Sequence, residues 1–185
     1  DLLVARGYAE AITYTFVDAA LDELVSPGTA SVEVANPIAS DMAVLRRSLW
    51  PGLINAARVN VTHQRQRLRL FEIGTQFAAV GNGVAEAPVV AGLAIGSRIP
   101  EHWDGAGPDV HYYDLKGDVE AGLGLTGAVA EFRFEPATHA TLSPGRTARI
   151  LRGDRPIGWL GQLHPELAKR VDKKHAAVVF ALELE

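Results

Sequence analysis

Leu45 to Val80, LRRSLWPGLINAARVNVTHQRQRLRLFEIGTQFAAV, is the stretch whose reading decides the fold. It reads as a turn, an amphipathic helix opened by Pro51, and a strand ending at Ile73. Proline suits a first helical position because its missing N–H has no partner there anyway. In the helix Leu53, Ile54, Ala57 and Val61 share one face, and Asn55, Arg58 and Thr62 the opposite one. In the strand Leu68 and Leu70 alternate with Arg69, and Phe71 and Ile73 continue the other side. Apolar groups on both faces place this strand inside a sheet. By parity Glu72 points with Leu68 and Leu70. A carboxylate there requires a cation, and Arg46 or Arg47 is the expected partner.

Upstream, Asp1 to Tyr8 reads as a helix tail ended by Gly7. Ala11 to Val17, AITYTFV, reads as a strand from its β-branched and aromatic residues. Asp18 caps a short helix, Ala19 to Val25, stopped by Ser26-Pro27-Gly28. Ser31 to Ala35 is a short strand. Downstream, Gly81-Asn82-Gly83 is a loop and Ala87 to Ser97 a strand with glycines suited to close backbone approach. Arg98 to Pro108 is an irregular loop. Asp114 is placed to cap a helix from Leu115 to Gly122. Ala130 to Phe134 is a strand, and Thr147–Leu151 and Ile157–Leu163 form a hairpin. Pro165 opens a helix to Val171, and Ala177 to Leu184 is a last strand. Several late strands with few helices between them favour a mostly antiparallel sheet.

The 185 residues suffice for one substantial domain, and the start inside a helical pattern points to a fragment of a longer chain. The net charge of −4 and the lack of a long basic block leave one local cluster: Arg58, His63, Arg65, Arg67 and Arg69. It reads first as a solvated helix end and strand edge, and second as a phosphate track. With no cysteine, disulfides, thiolate metal sites and cysteine nucleophiles are excluded. No apolar run reaches the roughly 18 residues of a membrane span.

Local motifs give little chemistry. Gly122, Gly124 and Gly127 spell G-x-G-x-x-G, but they follow a helix where a dinucleotide fold needs a strand. The six histidines lack metal-ligand spacing, so no metal site is expected. Ser48, Ser97 and Ser143 lack the nucleophile-elbow context. Asp109, Asp114 and Asp118 could hold a cation, but Asp114 reads as a cap and Asp118 as a first-turn helix charge. Trp50, Trp103 and Trp159 read as packing residues.

The chain resembles the class II aminoacyl-tRNA synthetase core. Arg6-Gly7-Tyr8-Ala9-Glu10-Ala11-Ile12 is similar to that family's motif 1 phrase, Leu45 to Leu53 to its "LRP-x-x-x-PGL" phrase, and Phe71-Glu72-Ile73-Gly74 to the strand before motif 2. The motif 2 signature, an aromatic residue then Arg-x-Glu, reads Phe77-Ala78-Ala79-Val80. In the family the Arg holds the ATP α-phosphate and the Glu positions the nucleotide; Ala78 and Val80 carry neither donor nor charge. Motif 3, a glycine-rich run ending in Arg, is replaced by His164 to Leu167 and Ala177 to Leu182. Five phrases resemble the catalytic-like module of bacterial phenylalanine–tRNA ligase β subunits. They are Asn36 to Met42, Phe71 to Gly74, Tyr113 to Glu120, His139 to Arg146 and Gly161 to Leu167.

That resemblance implies an α+β, class II synthetase-like fold with a central, mostly antiparallel sheet flanked by helices, forming a single module over residues 1–185. It implies no catalytic residues and no cofactor in this chain, with ATP and Mg2+ used by the whole enzyme. It implies docking of the catalytic α subunit through Leu2, Leu3, Tyr8, Ile12, Tyr14, Phe16, Leu53 and Ala57. Arg46, Pro51, Glu72 and Gly74 are assigned structural roles. The whole would be a cytoplasmic (αβ)2 complex joining phenylalanine to tRNA(Phe), and the fragment alone could self-associate. The alternatives are a divergent ATP-dependent ligase using Arg46, Arg98 or Arg146, and a tRNA-contacting module using the Arg58–Arg69 patch.

Overall fold

A long β-hairpin grows out of the decisive stretch and carries the rest. The computed structural model describes residues 1–81, 83–100, 102–103, 105 and 107–184. In chain order the elements are α1 (Leu2–Ala5), β1 (Ala9–Glu10), β2 (Phe16–Val17), α2 (Ala19–Val25), β3 (Val32–Glu33), β4 (Val44–Leu45), α3 (Trp50–Thr62), β5 (Leu68–Val80), β6 (Gly83–Ile95), α4 (Tyr112–Gly124), β7 (Phe132–Pro136), β8 (Leu142–Arg152), β9 (Arg155–Leu163), α5 (Pro165–Val171) and β10 (Ala177–Glu183). Among the described residues seven strands form one sheet, in the order β1-β5-β6-β10-β9-β8-β7, and β2, β4 and β3 form a small second one. The pairing is antiparallel except for β1, which lies parallel to β5 and makes one edge. The expected α+β architecture is therefore the observed one.

The strand period of two sorts the sheet residues onto two cores. Leu68, Leu70, Leu93 and Val179 face the helices α2, α3 and α5, whose Leu21, Val25, Leu53, Ile54, Ala57, Leu167 and Val171 bury against them. Phe71, Ala94, Val178, Phe180 and Leu182 face the other way, onto Leu115, Val119 and Leu123 of α4. Gly92 is required on that second face: a Cβ there would stand 2.2 Å from the Phe180 ring. Trp50 is anchored too, its Nε1 donating to the Phe180 carbonyl at 3.0 Å.

Several expected boundaries move. The strand expected to end at Ile73 continues to Val80, and its partner starts at Gly83, not Ala87, with Val80 opposite Gly83. Asn82 lies outside the described residues, as do Glu101, Asp104 and Ala106 of the 98–108 loop. The strand expected over Ala11 to Val17 survives only as β2. Ala11 still donates its N–H to Phe71, but Thr13 turns its N–H onto the Glu72 carboxylate, so the chain leaves the ladder there. Pro51 is the second residue of α3, after Trp50. Asp114 is not the cap of α4 but sits inside its first turn, where its Oδ2 accepts from the N–H of His111, the true cap, at 2.9 Å. A short 3-10 turn, Val129–Glu131, takes the start of the strand expected from Ala130. Trp103 is not a packing residue, being 96% exposed.

Candidate functional site

At the base of the hairpin three separated pieces of chain interlock. Arg46 lies buried beneath β5. Its Nη1 donates to Glu72 Oε1 at 2.7 Å and to Thr13 Oγ1 at 3.1 Å, and its Nε donates to the Thr75 carbonyl at 2.9 Å. Thr13 Oγ1 in turn donates to Glu72 Oε2 at 2.8 Å. Both glycines of the neighbouring phrases make room for this cluster. A Cβ on Gly74 would meet Arg46 Nη2 at 2.4 Å, and one on Gly52 would meet Thr13 Oγ1 at 2.2 Å. Glu72 thus pairs with Arg46, while Arg47 is committed to Asp22 at 2.6 Å, Glu23 at 2.9 Å and Thr29. Burying a carboxylate is tolerable only with such full compensation.

A second cluster closes the opposite face. Asp118 of α4 accepts from Arg6 Nη1 at 2.8 Å, from Tyr8 Oη at 2.7 Å and from Arg69 Nη1 at 2.8 Å. Burial, and then the charge of Asp118, push the Tyr8 phenol far up, so it stays a proton donor. Asp118 and Arg69 are therefore buried partners, not the first-turn helix charge and solvated strand edge their local sequence suggests. These contacts span 49 and 110 residues of chain, beyond any local pattern.

The hairpin tip is different. Ala78, Ala79 and Val80 are exposed, and Val84 of the returning strand is too. Ala78 lines an open cavity of about 620 Å³ together with Arg47, Gln76, Glu86 and His139. The cation on that wall, Arg47, is already held by two carboxylates. His139 packs edge-on to Trp50 and Trp159, with ring centroids 5.5 and 4.7 Å away, and burial pushes its pKa down. Such a lining offers no spare positive charge to stabilise a phosphoryl group. The arginines considered as substitutes are dispersed: Arg46 is buried with Glu72, Arg98 approaches Asp114 at 3.9 Å, and Arg146 donates to Gln162 at 2.6 Å. β10 supplies buried aliphatic and aromatic packing.

The residues expected to face a partner divide sharply. Ile12 and Tyr14 are 93% and 69% exposed, beside the edge strand β1. Leu2, Leu3 and Phe16 are half-buried. Tyr8, Leu53 and Ala57 lie inside this chain's own cores, so the surface they leave for contact is negligible. The outer face of α3 is Asn55, Arg58, Val59 and Thr62. Val4 and Ile73, at 57% and 58% exposure, add apolar surface.

Fold and hairpin together define a class II synthetase-like module. A pyrrolysyl-tRNA synthetase structure from Desulfitobacterium hafniense superposes on 98% of the chain, and on 60% of its own, with a TM-score of 0.70 at 16% identity, a likeness of fold alone. The family described as the phenylalanyl tRNA synthetase beta chain CLM domain matches residues 1–184, and the chain belongs to it. Phenylalanine–tRNA ligase beta subunits from Pseudomonas syringae pv. tomato and Hahella chejuensis are 49% and 44% identical over 183 and 180 residues, covering 99% and 97% of this chain. That from Shewanella oneidensis is 44% identical over 188 residues. The chain spans 23%, 22% and 24% of the length of these three relatives. No helix among the described residues is long and apolar enough to cross a membrane.

Proposed function

We propose that this chain is a non-catalytic scaffold module of a phenylalanine–tRNA ligase β subunit. It docks the catalytic α subunit within an (αβ)2 complex that joins phenylalanine to tRNA(Phe) in the cytoplasm. The observation that carries this reading is the contrast along one strand. The base of β5 keeps its buried Arg46–Glu72 pair and the glycines around it, while Ala78 and Val80 stand where a synthetase grips nucleotide. ATP and Mg2+ then act on the partner, and this chain serves by holding it. The exposed apolar residues beside the β1 edge, above all Ile12 and Tyr14, are the docking surface, since desolvation of such side chains drives obligate association.

Co-purification with the α subunit tests this. Ile12→Asp and Tyr14→Asp change side chains that carry no internal packing, so the fold should persist while assembly is lost. Retained assembly by the folded double variant would remove the docking face. Amino-acid-dependent ATP–pyrophosphate exchange by the chain alone would overturn the non-catalytic reading.

A further inference from the structure

Arg67 precedes β5 and shares a face with Arg69. Its guanidinium lies against Gly7, with Nη2 3.6 Å and Nη1 3.9 Å from the position a Cβ would take there. Arg69 stacks over the Tyr8 ring at 5.4 Å and shares Asp118 with Arg6. This corner therefore sets a third guanidinium, that of Arg67, beside the two that share Asp118. Among the described residues no carboxylate pairs with Arg67, and the buried Nε atoms of both Arg67 and Arg69 find no acceptor. Burial first, and then the charge of Arg69, push the Arg67 pKa down. Arg149 also buries an Nε without a partner, but its guanidinium lies 3.8 Å from the Glu135 carboxylate, whereas Arg67 has no such carboxylate among the described residues.

We propose that the corner formed by Arg6, Arg67 and Arg69 is a binding site for a phosphate group. Its surplus over Asp118 is two positive charges, and a phosphate monoester carries about −1.5 to −2 at neutral pH. A single carboxylate would leave part of the surplus standing. Planar guanidinium forks suit tetrahedral oxyanions through paired hydrogen bonds. Arg6 keeps 39% of its side chain exposed, so the corner is open to solvent. The exposed Arg58 and Arg65 leading to it add a positive field for an approaching anion in a chain whose net charge is −4. The site is independent of the hairpin tip and of the docking reading.

The test is thermal melting of the chain with inorganic phosphate against chloride at equal ionic strength, for the wild type, Arg67→Gln, Arg67→Lys and Arg65→Ala. Phosphate should raise the wild-type and Arg65→Ala midpoints. Arg67→Gln should lose the response, and Arg67→Lys, lacking the fork, should bind phosphate about tenfold more weakly. In chloride Arg67→Gln should melt at or above the wild type, because it relieves the Arg69 repulsion. The proposal is overturned by an equal phosphate response in Arg67→Gln, by no phosphate-specific response in the wild type, by acetate matching phosphate, or by Arg67→Gln melting below the wild type in chloride. Competition by a short RNA carrying a 5′-phosphate but not by its unphosphorylated form would assign a terminal phosphate. Equal competition by the unphosphorylated RNA, whose diesters carry one charge each, would overturn the match to a phosphate monoester, and no competition by either RNA would assign free phosphate.

Discussion

The two ends of the β5–β6 hairpin obey different rules. At the base Arg46 Nε and Nη1, both Glu72 carboxylate oxygens and Thr13 Oγ1 are hydrogen-bonded, and the two glycines beside them cannot accept a methyl group without displacing the cluster. At the tip Ala78, Ala79 and Val80 face solvent, and Val84 is 46% exposed. The strand is continuous, so its hydrogen-bonded ladder is the same at both ends. What differs is what each side chain must do for the fold. A phrase that locks three chain segments together has to persist for the module to fold, whereas one whose work is chemical can be lost without cost to the scaffold.

The sharpest way to break this contrast is to cut the base. Arg46→Ala or Glu72→Ala leaves an uncompensated charge whose side chain was only 5% exposed, and each should destabilise by about 3–5 kcal/mol. Denaturant midpoints would read it. The double variant Arg46→Met/Glu72→Leu should lose less than the two single losses combined, because it leaves neither charge stranded. Additive losses would show that the pair is not coupled and that the base is no lock. Next in size is Gly52→Ala, whose new Cβ would stand 2.2 Å from Thr13 Oγ1 and must push the 11–15 segment off Glu72. Overpacking of this kind costs about 1–3 kcal/mol.

The wall between base and tip gives a pH signature. His139 has a folded pKa depressed below the ordinary 6.5 by burial against Trp50 and Trp159. The unfolded chain therefore binds a proton that the folded chain resists. Its contribution is complete above the unfolded pKa of 6.5 and is lost as pH falls from there through the folded pKa. His139→Gln should flatten that part of the stability curve. An unchanged slope in the variant would mean that other groups set it.

Much of this architecture was legible in the chain, where the signals are local. Asp18 does accept from the N–H of Leu21 at 2.8 Å, and Pro165 does open a helix ending at Val171, because caps and prolines act within a few residues. The parity of Glu72 against Leu68 and Leu70 was enough to demand a buried cation. The hairpin's true length was missed because small residues such as Ala78 and Ala79 carry little strand signal, although the sequence Gly-Asn-Gly between them and Val84 is itself a hairpin cue. The Asp118 cluster was not legible. It joins α1, β5 and α4 across the sheet, and each of its members taken alone looks like a surface charge.

The smallest effect belongs to the tip and is the most informative. Ala78→Arg with Val80→Glu writes the class II Arg-x-Glu pattern onto exposed strand positions, so stability should move by no more than about 0.5 kcal/mol. Isothermal titration with ATP should nevertheless show no gain in affinity, and ATP–pyrophosphate exchange should stay silent. The new guanidinium would have no companion: Arg47 on the same wall is spoken for by Asp22 and Glu23, and β10 presents Phe180 and aliphatic packing where a further arginine would be needed. Charge that builds up in phosphoryl chemistry is stabilised by several preorganised donors acting together. Measurable exchange from this double variant would mean that the remaining site is still assembled, and that the tip has lost only its last two residues.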